Sequence, residues 1–344
     1  MESETSDVMN RSDDDDLPSL QADSGIGIDD SSVLNGCIFL FGRQYRDWGP
    51  AKENCEQYFC PNDEQELERL DIQHHAFLVL MDNKLHFAPV STTSPINVLD
   101  VCTGTGIWAI DVADECPRWD VKGIDWAPMQ PAWVPPNIKF EIDDLRRLWC
   151  YNNIFDYIHT RATIYMGCWK DFKLDVIHQA FNGLQPGGWF ECQEIGGLVE
   201  CDDGTLPSDA PLTSWARALN IAGSKMGRPR DVSGRISEWY KEVGFVDVQQ
   251  HALKMPIGNW SQDTRMKEAG SYWKVSMERA LEGLSLRLFN EAFGWELADI
   301  TVCRLFVVLV EIGMLIPSSY VRHYSIASDK ISGTHLFTPT PKSL

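Results

Sequence analysis

Four side chains near a pair of glycines give this chain its capacity for chemistry. Asp100 is followed by Thr103, Gly104 and Gly106 in the run Asp100-Val101-Cys102-Thr103-Gly104-Thr105-Gly106, and Asp125 comes 19 residues after Gly106. Glycines in such a turn let the backbone approach a ligand closely and expose N–H groups at a helix start. An acid at the end of the next strand can accept both hydroxyls of a ribose. Asp100 argues against a pyrophosphate, because a carboxylate close to two phosphates is repelled, and it suits a ligand with a cationic amino-acid end. Asp144 closes a third short apolar run, Ile138 to Ile142 followed by Asp143-Asp144, where an acid can accept from an exocyclic amino group. His159 closes a fourth, Phe155 to Arg161. A histidine there can act as a general base, or stay neutral and hydrogen-bond a ligand or the backbone.

Positioning these groups requires alternating strands and helices. Ile96, Val98, Leu99 and Val101 form an apolar run that reads as a strand buried on both faces. From Ile107 the apolar positions switch to helical spacing until Pro117, and Val121 to Ile124 is the next strand. A dinucleotide fingerprint would place a third glycine where Ala109 stands, which that fingerprint tolerates, so the turn alone does not choose the nucleotide. Trp126 opens a stiff loop with Pro128, Pro131, Pro135 and Pro136. It offers either an apolar wall for a nucleoside or an ordinary core side chain. Trp169 to Leu184 is helical, Pro186-Gly187-Gly188 is a turn before a fifth strand, and Phe245 to Leu253 is a sixth. Upstream, Cys37 to Phe41 with Tyr45 and Trp48 suits a hairpin or loop. Pro61-Asn62-Asp63-Glu64 opens an amphipathic helix carrying His74 and His75, which either line a substrate pocket or are ordinary packed or surface residues. Two further helices are expected around Met266 to Arg279 and Leu284 to Phe293.

Composition excludes several classes. The 344 residues carry a net charge of −20, and ten acids against one base fall in residues 1–35. No basic stripe is present, so direct nucleic-acid binding is not expected. Ten cysteines without C-x-x-C spacing read as free thiols, and no metal site is expected. No apolar run is longer than the six residues of Leu305 to Val310, far short of the roughly 20 residues that cross a bilayer.

The motif D-x-C-T-G-T-G resembles motif I of class I S-adenosylmethionine (SAM) methyltransferases, with Cys102 replacing the first glycine. L-x-P-G-G before a strand is a second likeness. Further blocks resemble the fungal LaeA-like methyltransferases. They are D-S-G-I-G near residue 23, P-N-D-E-x-E-x-x-R-L-D-x-Q-H-H, W-A-I-D-x-A-D-E, P-x-Q-P-x-W-V-P-P-N and L-x-P-G-G-W-x-E-x-Q-E. The resemblance runs from about residue 22 to about residue 300. It implies an α/β fold, a Rossmann-like class I methyltransferase sheet with helices on both faces and an N-terminal helical cap. It also implies SAM as cofactor, contacted by Asp100, Thr103, Gly104, Gly106, Asp125 and Asp144, with Trp126 beside the nucleoside. No settled catalytic residue comes with it, and His159 remains the candidate. The family includes cluster-encoded methyltransferases acting on small molecules and nuclear regulators with velvet-type partners. A cytoplasmic small-molecule enzyme is the first expectation, a nuclear regulator the second.

The expected division is a disordered acidic tail (1–35), a cap segment (36–95), a SAM-binding core (96–255), a helical substrate-side region (256–316) and an irregular tail (317–344). The end departs from the family pattern, so a regular seventh strand is not expected.

Overall fold

A computed structural model describes residues 37–46, 58–307 and 319–330. The expected acidic tail and Trp48 lie outside these residues. The chain opens with a hairpin of β1 (Cys37–Leu40) and β2 (Arg43–Arg46). Helix α1 (Glu64–Leu80) starts where the sequence suggests, because the Asp63 carboxylate accepts from the Glu66 N–H and caps the first turn.

The buried run becomes β3 (Asn97–Val101), followed by α2 (Ile107–Glu115), β4 (Asp120–Asp125), β5 (Ile138–Ile142) and β6 (Phe155–Arg161). A π-helical turn, Lys173–Ile177, leads into α3 (His178–Gly183), so this helix is shorter and wider at its start than its periodicity suggests. Then come β7 (Leu184–Cys201), α4 (Pro211–Lys225), α5 (Ile236–Val243), β8 (Phe245–Pro256), α6 (Thr264–Phe293) and α7 (Leu297–Val307). The two helices expected between 266 and 293 are one continuous α6. Gly283 does not break it, and a Cβ there would approach the Glu66 carboxylate and the Pro61 ring of the packed neighbour.

The last strand is a correction. Residues 317–344 were expected to be irregular and the seventh strand absent, yet β9 (Ser319–Lys330) lies between β7 and β8, antiparallel to both. The segment lacks a long apolar run, but a strand flanked on both sides satisfies its backbone groups through the ladders.

The sheet order is β5-β4-β3-β6-β7-β9-β8. Strand order reverses between β3 and β6, and ligands in open α/β sheets sit outside the carboxyl ends at such a switch point. Alternation along the strands separates two cores. Val98, Val121 and Tyr157 face α2 with Trp108 and Val112, while Leu99, Ile124 and Ile158 face α3 and α5 with Ile177 and Tyr240. A third cluster joins Phe77 of α1, Trp215 of α4 and Trp273, Leu281 and Phe289 of α6. No helix of the described residues is long and apolar enough to cross a membrane.

Candidate functional site

Asp100, the glycine turn, Asp125, Trp126, Asp144 and His159 gather at the carboxyl ends of β3 to β6, but not all face the same space. Asp100 and His159 are register partners across β3 and β6, so their side chains project from the same face. His159 Nδ1 lies 2.8 Å from Asp100 Oδ1, and the Thr103 hydroxyl donates to Asp100 Oδ2 at 2.6 Å. The imidazole stacks on Trp108 at 3.6 Å with planes 10° apart. It is wholly buried, and its Nε2 has no hydrogen-bond partner among the described residues. A base must come within hydrogen-bond reach of the proton it removes. His159 thus holds Asp100 through Nδ1 while its unpartnered Nε2 belongs to the wall of the smaller cavity, a geometry compatible with either of its two readings, general base or orienting hydrogen-bond partner.

The glycine turn adopts the torsions its composition requires. Cys102, in the place of the first motif glycine, takes φ +57°, and the neighbouring Cys168 from the loop after β6, together with burial, pushes its thiol well above its ordinary pKa. Gly106 has φ +80°, and a Cβ there would come 2.4 Å from the Phe140 ring of β5. Gly106→Ala therefore combines a left-handed torsion with an overlap and should cost about 2–4 kcal/mol. Denaturant unfolding reads this directly, and a variant as stable as the parent would show that the turn relaxes freely.

Asp125 ends β4 and holds the turn in place. Its Oδ2 accepts from the Gly104 N–H at 2.9 Å and its Oδ1 from the Ala127 N–H at 3.1 Å. Burial pushes its carboxyl up to about 6, against the opposing backbone donors of Gly104, Ala127 and Trp126. From the proline-rich loop, Gln130 Nε2 donates to the Gly104 carbonyl at 2.6 Å and fixes the other side of the turn. Trp126 lies under the Arg146 guanidinium, 4.6 Å from the ring centre, with the Tyr58 ring edge-on at 5.0 Å. Asp144 forms a two-pronged pair with Arg146, at 2.7 and 2.8 Å. That charge outweighs burial and keeps the carboxyl below its usual range.

Two adjoining cavities occupy this end of the sheet. The larger spans about 690 Å³ together with the solvent space it opens onto, and is lined by Asp125, Trp126, Met129, Asp144, Leu145 and Met166, among others. The smaller, about 430 Å³ on the same terms, is bounded by Asp100, Thr103, Gly104, Thr105, Trp108 and His159. Leu70, Gln73, Cys102, Gly104 and Arg161 line both. Sizes of this order suit small ligands. Of the two readings of His74 and His75, the structure gives the packed-or-surface one, and they line neither cavity: His74 is buried against Arg161 and Asp111, and His75 sits edge-on to Tyr272. Gln73 and Leu70 do the lining instead. Arg69 holds the Gln73 carbonyl oxygen at 2.8 Å, so the amide NH₂ is its remaining polar group at the cavity wall. The helical spacing of Leu70, Gln73 and Phe77 marks them as one face, which was the available signal. Among the described residues there is no cluster of His, Cys, Asp or Glu able to hold a metal ion.

Residues 72–250 match the methyltransferase domain family. The chain is 35% identical to the methyltransferase pytC of Aspergillus terreus over 83% of this chain and 86% of that protein. It is 34% identical to the secondary metabolism regulator LAE1 of Cochliobolus heterostrophus, covering 70% and 79% of the two chains. The protein-methionine methyltransferase laeA of Emericella nidulans is 34% identical over 71% of this chain and 64% of its own length. With the strand order, the glycine turn and the acids at successive strand ends, these likenesses place the chain in the fungal LaeA-like family of class I SAM-dependent methyltransferases.

Proposed function

We propose that the protein transfers a methyl group from SAM to a small molecule in a fungal secondary-metabolite pathway. The observation that carries the cofactor placement is that Asp125 and Asp100 line two adjoining cavities that share Gly104 and Arg161, with the Gly104 N–H drawn onto Asp125. The donor set fits a sulfonium nucleoside. Asp125 takes the ribose hydroxyls, Asp144 faces the adenine amino group while still paired to Arg146, and Trp126 with Met129 and Leu145 walls the base. Thr103, Gly104 and Gly106 shape the passage toward Asp100.

SAM supplies an already activated methyl carbon, so no acid–base triad is demanded of the protein. The chain's contribution is positional: an acceptor held in line at about 3 to 3.5 Å and shielded from water reacts by displacement. Tyr58, Met166 and Trp169 wall the larger cavity and are placed to shield it. His159 keeps Asp100 oriented.

The pytC likeness supports the small-molecule reading. The likeness to the secondary metabolism regulator LAE1 supports a second one, a regulator of secondary metabolism, and we extend that reading to nuclear action with velvet-type partners. Metabolite profiling of a deletion strain separates them. Accumulation of one product lacking a single methyl group is expected, whereas loss of several unrelated metabolites would favour the regulator. Calorimetry tests the cofactor, with heat expected for S-adenosylhomocysteine and none for NAD.

A further inference from the structure

Arg161 sits at the junction of the two cavities with no carboxylate in ion-pair contact among the described residues, Asp100 and Asp111 acting on it only from a greater distance. Its Nη2–H donates to His74 Nδ1 at 2.7 Å and its plane lies over the Phe77 ring at 5.2 Å. It makes no other side-chain hydrogen bond and no ion pair among the described residues. A half-buried guanidinium without a directly paired anion is costly, and its free donors line the space where a ligand enters. Burial pulls its pKa down only to about 10, so it stays a cation at neutral pH.

What aims it is a histidine that cannot be charged there. Burial first, and the Arg161 charge next, push His74 down to about 4. A neutral imidazole has one acceptor and one donor nitrogen. Since Nδ1 accepts from Arg161, Nε2 carries the proton and donates to Asp111 Oδ2 at 2.8 Å. Asp111 of α2 thus fixes the His74 tautomer, and His74 of α1 fixes one edge of the guanidinium.

The smaller cavity begins at Gly104, next to the ribose acid, and is bordered by one carboxylate, Asp100, and one guanidinium, Arg161. That pairing complements a zwitterion. We propose that Arg161 is the subsite for the α-carboxylate of the cofactor's methionine half, with His74 and Asp111 as positioning residues that hold it there. The proposal rests on the cofactor reading above.

Calorimetry with SAM and with decarboxylated SAM, which differ only in the carboxylate, tests it. The parent should bind SAM about 10- to 100-fold more tightly than the decarboxylated form, the range of a charge-assisted pair. Arg161→Met should abolish that preference by weakening SAM alone. His74→Phe should lower it several-fold, and His74→Asn, whose amide oxygen can replace the Nδ1 acceptor, should restore it. This histidine pair carries the test if Arg161→Met fails to fold. Equal losses for both ligands, or an unchanged preference in Arg161→Met and His74→Phe, would overturn the proposal. A parent that binds SAM well but shows no preference would overturn it while leaving the cofactor reading intact; a parent that binds neither ligand would overturn both.

Discussion

Asp125→Ala is expected to lose at least about 100-fold in affinity for S-adenosylhomocysteine, because two charge-assisted hydrogen bonds to a ribose are each worth about 1.5–3 kcal/mol. The same change leaves the Gly104 and Ala127 N–H groups without their present acceptor, so the glycine turn loses its anchor as well as its ligand contact. A pH series makes the test specific. The carboxyl is pushed up to about 6 in the free protein, and only its ionised form accepts from two hydroxyls. Affinity should therefore be full above about pH 7 and fall as pH drops through 6. Asp125→Asn should bind weakly with a flat profile across that window. An alanine variant that binds within threefold of the parent would remove Asp125 from the site.

That result bears on how much the sequence discloses. The glycine turn and Asp125 are legible because a parallel strand–helix–strand unit has nearly fixed length, so a 19-residue spacing implies contact. Asp144 and the Trp126 loop are legible for the same reason, one strand further on. His159 shows the limit: its place at a strand end is readable, but its stacking on Trp108 depends on how α2 packs, which strand and helix spacing does not give. Gln73 and Leu70 were hidden because a helix ahead of the first strand can lie at many angles to the sheet. Only the packing of α1 on α6, through pairs such as Phe77 with Trp273, decides which face looks inward. Strand β9 was hidden because its fold comes from two neighbouring ladders rather than from its own pattern.

Glu194→Ala is expected to lower stability by about 3–6 kcal/mol, since a buried carboxylate that serves several donors leaves each of them unpaired at about 1–3 kcal/mol. Glu194 Oε1 accepts from the Thr163 N–H at 2.8 Å, the Thr163 hydroxyl at 3.1 Å and the Ile164 N–H at 3.0 Å. These bonds shape the turn after β6, where Ala162 holds φ +57° and where Ala162, Thr163 and Met166 line the larger cavity. Glu194→Gln keeps an oxygen at the position that receives all three and should cost far less, so the contrast isolates the hydrogen bonds from the packing. The charge adds a second signature. Burial pushes the carboxyl up to about 7, above its ordinary 4.5, so the folded state holds the proton more tightly than the unfolded chain. Its contribution to stability is fully present below about pH 4.5 and is lost as pH rises through 7, a slope the glutamine variant should lack. Melting curves of the three proteins at pH 5 and pH 8 read both effects. An alanine variant melting within 2 °C of the parent at both pH values would mean that the turn is held by something other than Glu194. It would also free the larger cavity from its dependence on β7.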